Sequence, residues 1–207
     1  MGDLEGNIAL LSDRSSGKRR SAAKRLRKLG DPAAGPALFA ALQKEVEDPR
    51  TWETQYQMIM GVAECGFVEA LPFLKSRIGQ NPATALDAAI GNAIVRLSYT
   101  GVEDASPVLA IMASGDLMML SGAFQAMAML RLVPPAEQVE AILDFLAAYG
   151  DSSPLTLHFW PAAAAAGWGY HSKVEPFLRA CLQSPRDDVR EAASLSLKGK
   201  YKNWNPL

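Results

Sequence analysis

The segment LTLHFWPAAAAAGWGYH (Leu155–His171) gathers the side chains with the most chemical potential in this chain. It carries both histidines, His158 and His171, two of the four tryptophans, Trp160 and Trp168, and Tyr170. Imidazoles ligate metals and move protons near neutral pH. A zinc site, however, needs three or four clustered nitrogen, sulfur or carboxylate ligands. No carboxylate or thiol stands among these residues, so neither a metal site nor a cofactor is expected. Aromatic side chains anchor protein interfaces, which makes His158, Trp160 and Trp168 candidate partner-binding residues. The same rings beside five alanines also fit a packed core. Pro161 falls within the helix expected here and would free the carbonyl of Leu157. Cys65 and Cys181 stand alone in apolar stretches and read as buried free thiols. No nucleophile–base spacing, P-loop or glycine-rich dinucleotide turn occurs.

The second concentration of chemistry is electrostatic. Arg14 through Lys28 holds eight Lys and Arg residues and no acid. On a helical projection Ala22, Leu26 and Leu29 face one way, and Arg20, Lys24, Arg27 and Lys28 the other. That face reads either as a solvated cap or as a patch for phosphate or an acidic partner. Beyond residue 28 the chain has 13 basic and 19 acidic residues, a net of −6. An acidic body argues against a nucleic-acid track along the whole molecule.

The elements that position these residues follow from an internal period. GPALF (Gly35–Phe39), LPFLK (Leu71–Lys75), SPVLA (Ser106–Ala110) and EPFLR (Glu175–Arg179) share a Pro-x-Leu core. Their prolines, Pro36, Pro72, Pro107 and Pro176, are separated by 36, 35 and 69 residues. The double-length gap predicts one further unit, at VEAIL (Val139–Leu143), with Ala141 in the proline slot. Gly30, Gly66 and Gly101 precede their prolines by six residues, and Gly169 precedes Pro176 by seven. Glycine ends a helix in the left-handed conformation, and proline suits the first turn of the next. Asp31, Glu69, Glu103, Asp104 and Glu175 lie beside these prolines and oppose the positive helix end.

Two helices fit in each period. The first helices are predicted over Pro36–Val46, Pro72–Ile78, Pro107–Ala113, Gln138–Tyr149 and Pro176–Leu182. The second helices are predicted over Trp52–Cys65, Ala83–Tyr99, Leu117–Leu132, Pro154–Trp168 and Arg186–Lys198. The turns between them fall at Asp48-Pro49, Asn81-Pro82, Gly115-Asp116, Ser152-Ser153-Pro154 and Ser184-Pro185. An N-terminal pair, Leu4–Leu11 and Lys18–Leu29, completes the array. No alternating β-branched run competes with these helices. Leu117–Leu132 is apolar almost all round, as a central helix should be. The eight methionines read as core fillers.

Two stretches resemble HEAT repeats, including the HEAT-like repeats of the PBS-lyase type. SPRDDVREAASLSLKGK (Ser184–Lys200) resembles the second helix, with Asp188, Val189, Arg190, Ala192 and Ala193 in the family's D-V-R-x-A-A pattern. GDPAAGPALFAAL (Gly30–Leu42) resembles the turn and first helix. The middle units depart: Leu117–Leu132 has no D-V-R, and Pro134-Pro135 replaces the turn glycine. The resemblance implies an all-α solenoid of about five to six helix pairs in a single domain, 1–207. Its units are approximately 1–30, 31–66, 67–101, 102–133, 134–169 and 170–207. It implies that Val189 and the alanines pack inward while Asp188 and Arg190 bridge neighbouring units. It also implies a concave surface lined by second helices, on which Glu53, Gln57, Asp87 and Gln125 are candidate partner-binding residues.

HEAT-like proteins are most often non-enzymatic scaffolds that bind other proteins, so the expected function is a protein-binding module such as an adaptor, an inhibitor or a bacterial immunity-type protein. Its mildly acidic surface would suit a basic partner. The alternative is a DNA-binding protein resembling the HEAT-like alkylpurine DNA glycosylases, working through the basic N-terminal helix. Helical hydroxylases of this architecture hold iron with His-Glu pairs, and no His-Glu dipeptide occurs here. The acidic opening MGDLEGN lacks a secretory h-region, and Leu117–Val133 is too short and too polar for a membrane span. A cytoplasmic location is the expectation.

Overall fold

The structure, a computed structural model, describes residues 4–80, 84–150 and 157–203. The chain divides into two compact units, Met1–Ser98 and Tyr99–Leu207. Both are all-α stacks of helix pairs of the solenoid type, with no strand among the described residues. The turns predicted at Asn81-Pro82 and Ser152-Ser153-Pro154, and the helix starts at Ala83 and Pro154, lie outside the described residues.

The first unit contains α1 (Leu4–Leu10), α2 (Ser16–Leu29), α3 (Gly35–Glu45), α4 (Trp52–Glu64), α5 (Leu71–Ser76) and α6 (Thr84–Ser98). Its second helices stack side by side, α2 on α4 and α4 on α6, while α3 and α5 cover the other side of α4 and α6. Ala22, Ala23 and Leu26 of α2 and Met58, Met60 and Val62 of α4 are fully buried, as are Leu38 and Leu42 of α3. Leu29 departs from its predicted apolar face. It is 42% exposed, because α2 ends there and Gly30 turns the chain away.

The second unit contains α7 (Ser106–Ser114), α8 (Leu117–Met129), α9 (Ala136–Tyr149), α10 (Phe159–Ala164), α11 (Val174–Cys181) and α12 (Asp187–Ser196). Here α10 packs between α8 and α12. Met119, Leu120, Ala123, Phe124, Ala126 and Met127 of α8 are all buried. An apolar circumference of that kind requires neighbours on several sides. Met58, Met60, Met119 and Met127 fill core space, where an unbranched side chain adapts to irregular gaps.

Most helix boundaries have local causes. Pro36, Pro72 and Pro107 occupy first turns. Asp31, Asp48, Asp104 and Asp116 accept backbone N–H groups that no helical carbonyl reaches, Asp116 from both Met118 and Met119 at 3.0 Å. Gly30 and Gly66 are left-handed, with φ of 61° and 67°. Gly101 and Gly169 are not, so those two turns reverse without a left-handed residue. At the end of the fourth unit the left-handed position is Arg131, with φ of 52°. The N–H of Leu132 donates to the Met127 carbonyl at 3.1 Å, as the N–H of Phe67 donates to Val62 at 3.2 Å after Gly66. The stop is thus the same in both units, but Arg131 bears about 1–2 kcal/mol of steric cost that glycine escapes.

Pro161 does not break a helix. It is the third residue of α10, where a missing N–H costs nothing, and the Ala162 N–H donates to the His158 carbonyl at 2.9 Å. In α12, Val189, Ala192 and Ala193 are buried as the repeat pattern implies. The two charged members of the pattern act differently from that expectation. Asp188 pairs with Arg186 at 2.6 Å, and Arg190 pairs with Asp187 and donates to the Ser184 carbonyl at 2.6 Å. They brace the turn before their own helix.

Candidate protein-binding face

The side-by-side packing of α2, α4 and α6 determines which charges meet. Arg20, in the second turn of α2, forms an ion pair with Glu53 in the first turn of α4. Arg27, two turns further along, donates to Gln57 Oε1 at 3.3 Å, and its guanidinium lies 6.0 Å from the centre of the Tyr56 ring. At the last residue of α4, Arg96 of α6 reaches Glu64 at 3.1 Å and also donates to Asn92 at 2.8 Å. Two residues of the predicted basic patch and two of the predicted groove are therefore neighbours on one face.

Lys24 and Lys28 are exposed and form no ion pair among the described residues. Arg25, also exposed on α2, reaches only the neutral Asn7 side chain, at 3.5 Å, so these three residues carry the charge that pairing leaves over on α2. Asp87 is half-buried in the first turn of α6. Trp52, at the start of α4, is 39% exposed and adds an aromatic surface that sequence reasoning did not single out.

Beneath this face lies a polar brace. Arg19 makes a two-pronged pair with Glu45 of α3, Nε to Oε2 at 2.6 Å and Nη2 to Oε1 at 2.8 Å. A further nitrogen donates to the carbonyls of Asp13 and Arg14. Gln55 donates from Nε2 to the carbonyls of Glu45 and Asp48, and Ser16 and Thr54 share a hydrogen bond at 2.8 Å. Asp48 is held down to about 2, chiefly by the Arg50 side chain and then by the Arg50 N–H. An open cavity of about 580 Å³ lies beside α1 and α3, with Arg19 and Glu45 in its wall. Arg19 sits inside the basic run read from sequence, but its partner Glu45 is 26 residues away and carries no local signal.

The remaining predicted residues lie in the second unit, and they are not gathered into one cluster. Gln125 is half-buried on α8. Trp160 is half-buried against Phe159, with ring centres 4.8 Å apart. Trp168 is fully buried, and its indole N–H donates to the Leu132 carbonyl at 2.8 Å. That satisfied donor and the absence of exposed surface make it a core residue. His158 is buried and stacks on Phe177 at 6.0 Å. It borders a cavity of about 370 Å³ lined by Leu143, Leu146 and Phe177, with Asp144 and Lys173 at its edge. His171 accepts the Lys173 N–H at 3.2 Å, so the two histidines serve separate places. Burial pushes the Cys65 thiol up to about 11, which keeps it protonated at neutral pH and unsuited to nucleophilic chemistry. Among the described residues no three His, Cys, Asp or Glu side chains lie close enough to hold one metal ion. No helix among them is long and apolar enough to cross a membrane.

No protein-family model matches the chain, and no curated protein does. Two solved structures resemble it in outline. One is an engineered protein, 17% identical, with a TM-score of 0.46 over 97% of this chain and 99% of that one. The other is a designed armadillo repeat protein, 15% identical, with a TM-score of 0.40 over 95% of this chain and 99% of its own.

Proposed function

We propose that the chain is a non-enzymatic protein-binding module of the HEAT-like kind, with residues 1–207 as one repeat domain. Its binding face is the surface of α2, α4 and α6 around Glu53, Gln57 and Asp87, and Gln125 and Trp160 are separate candidate contacts within the second unit. The observation that carries this reading is the pairing of Arg20 with Glu53 and of Arg27 with Gln57. A surface of alternating sign, with side chains already held by one another, loses little rotamer entropy on binding. It also discriminates among partners by charge pattern. A nucleic-acid track needs basic groups free for successive phosphates, whereas half of this patch is committed to internal partners. The net of −6 beyond residue 28 favours a partner with a basic surface. A cytoplasmic adaptor, inhibitor or immunity-type protein fits these features.

The test compares capture from the native lysate, with and without nuclease, on the unaltered chain and on a Glu53→Lys, Asp87→Lys variant. The expected result is one protein retained in stoichiometric amount after nuclease and lost at least tenfold by the variant. Retention of nucleic acid alone, falling steeply with salt and with Lys24→Glu plus Lys28→Glu, would replace this reading with a DNA-binding one. That second reading draws on the exposed, unmatched Lys24 and Lys28.

A further inference from the structure

We propose that the second unit carries a recognition seat for an aromatic–lysine pair, which the chain's own Tyr201 and Lys202 fill as an autoinhibitory strap. After α12 the backbone turns at Gly199, φ 64°, and continues without helical structure through Asn203. The Tyr201 ring settles between two unusual backbone positions. On one side is Gly167, where a Cβ atom would fall on the Tyr201 hydroxyl and lie 3.0 Å from Val133 Cγ2. A side chain there would displace the hydroxyl from this position. On the other side is Arg131, the one left-handed non-glycine residue among those described. Its guanidinium lies 4.8 Å from the centre of the Tyr201 ring, within cation–π range.

The next residue is read by charge. Lys202 Nζ reaches Glu191 Oε2 of α12 at 2.6 Å and lies 5.7 Å from the centre of the Phe159 ring of α10. The turn after α8, the start of α10, the short turn that follows α10 and the face of α12 thus each supply one contact to two consecutive side chains. These contacts select for a ring followed by an ammonium. They are made by side chains at a surface, with Tyr201 and Lys202 both half-buried, so the pair can leave without unfolding a helix. A core plug would instead be apolar and fully buried.

A tethered segment meets its seat at an effective concentration on the order of 1 mM. At that concentration a strap closed ten to one corresponds to an intrinsic dissociation constant of about 100 µM, and an external segment then binds about tenfold more weakly than to an empty seat. A partner presenting a Tyr-Lys or Phe-Lys pair would compete for this seat, which involves none of Glu53, Gln57 or Asp87.

The experiment uses a fluorescent peptide of residues 198–203 and the full chain, unaltered or with Tyr201→Ala and Lys202→Ala. Fluorescence anisotropy reads the binding, and circular dichroism checks helix content. The substituted chain should bind the peptide about tenfold more tightly than the unaltered one. Glu191→Gln added to it should weaken that binding several-fold. A peptide with Phe in place of Tyr should still bind, and one with Ala should not. Equal binding to both chains, no binding to a fully helical substituted chain, or loss of helix on substitution would each overturn the proposal.

Discussion

Removing Arg19 should destabilise the first unit far more than a surface charge would. The pair with Glu45 is two-pronged and largely hidden, with side-chain exposures of 19% and 5%. Arg19→Met leaves the Glu45 carboxylate buried without its counter-charge, an arrangement that costs about 3–5 kcal/mol. Glu45→Leu strands the guanidinium on two backbone carbonyls and should cost a similar amount. Substituting both residues together replaces two desolvated charges with apolar groups of similar volume, which is neutral or mildly stabilising in comparable sites. The double variant should therefore lie within about 1 kcal/mol of the unaltered chain, and the two single losses should not add. Urea unfolding followed by circular dichroism reads the difference. With a slope of about 2–3 kcal/mol per molar, a 3 kcal/mol loss moves the midpoint by about 1–1.5 M. A single substitution costing under about 1 kcal/mol, or a double variant as damaged as the sum of the two, would refute the argument.

Gly66→Ala should cost about 1 kcal/mol in the same assay, because φ is 67° and nothing lies within 4 Å of the added methyl. The loss is conformational, so Gly66→Asn should recover part of it. Stability should also fall as the medium is acidified from about pH 4 towards pH 2. Asp48 is held at about 2 by Arg50, and Asp13, Asp104 and Asp188 are likewise lowered, by the Ser15 N–H, the Ser106 hydroxyl and the Arg186 guanidinium respectively. Depressed carboxyls take up protons more readily when the chain is unfolded, so their contribution is present above the ordinary carboxylate range and lost on descending through it. Asp48→Asn should flatten the lower end of an unfolding-midpoint profile taken between pH 5 and about pH 2, and an unchanged profile would remove Asp48 from the account.

The helices were legible because their ends are written locally. Pro36, Pro72 and Pro107 need only a first turn, Gly30 and Gly66 need only a left-handed step, and Asp31 and Asp104 need only the N–H groups just ahead of them. The fourth unit hid its stop because Arg131 takes a conformation its residue type disfavours. Pro161 misled because its effect depends on where the helix begins, and α10 begins at Phe159. The candidate face was legible residue by residue but not as an arrangement. Arg20 and Glu53 were read as members of two separate features, since their pairing depends on how α2 lies against α4. Trp168 was singled out for its type, and only the carbonyl of Leu132, 36 residues away, makes it a core residue. Tyr201 carried no signal, because the space it needs is made by the missing side chain of Gly167.

The stacking of second helices also sets a schedule for synthesis. Arg20 meets Glu53 after 33 residues, Arg27 meets Gln57 after 30, and Arg96 meets Glu64 after 32. At a ribosomal pace of about 5–20 residues per second, each helix waits roughly 2–7 s for the next to emerge. No contact of this face has to await the end of the chain. The face is assembled in the order in which it is translated, and short sequence separations of this kind favour fast folding.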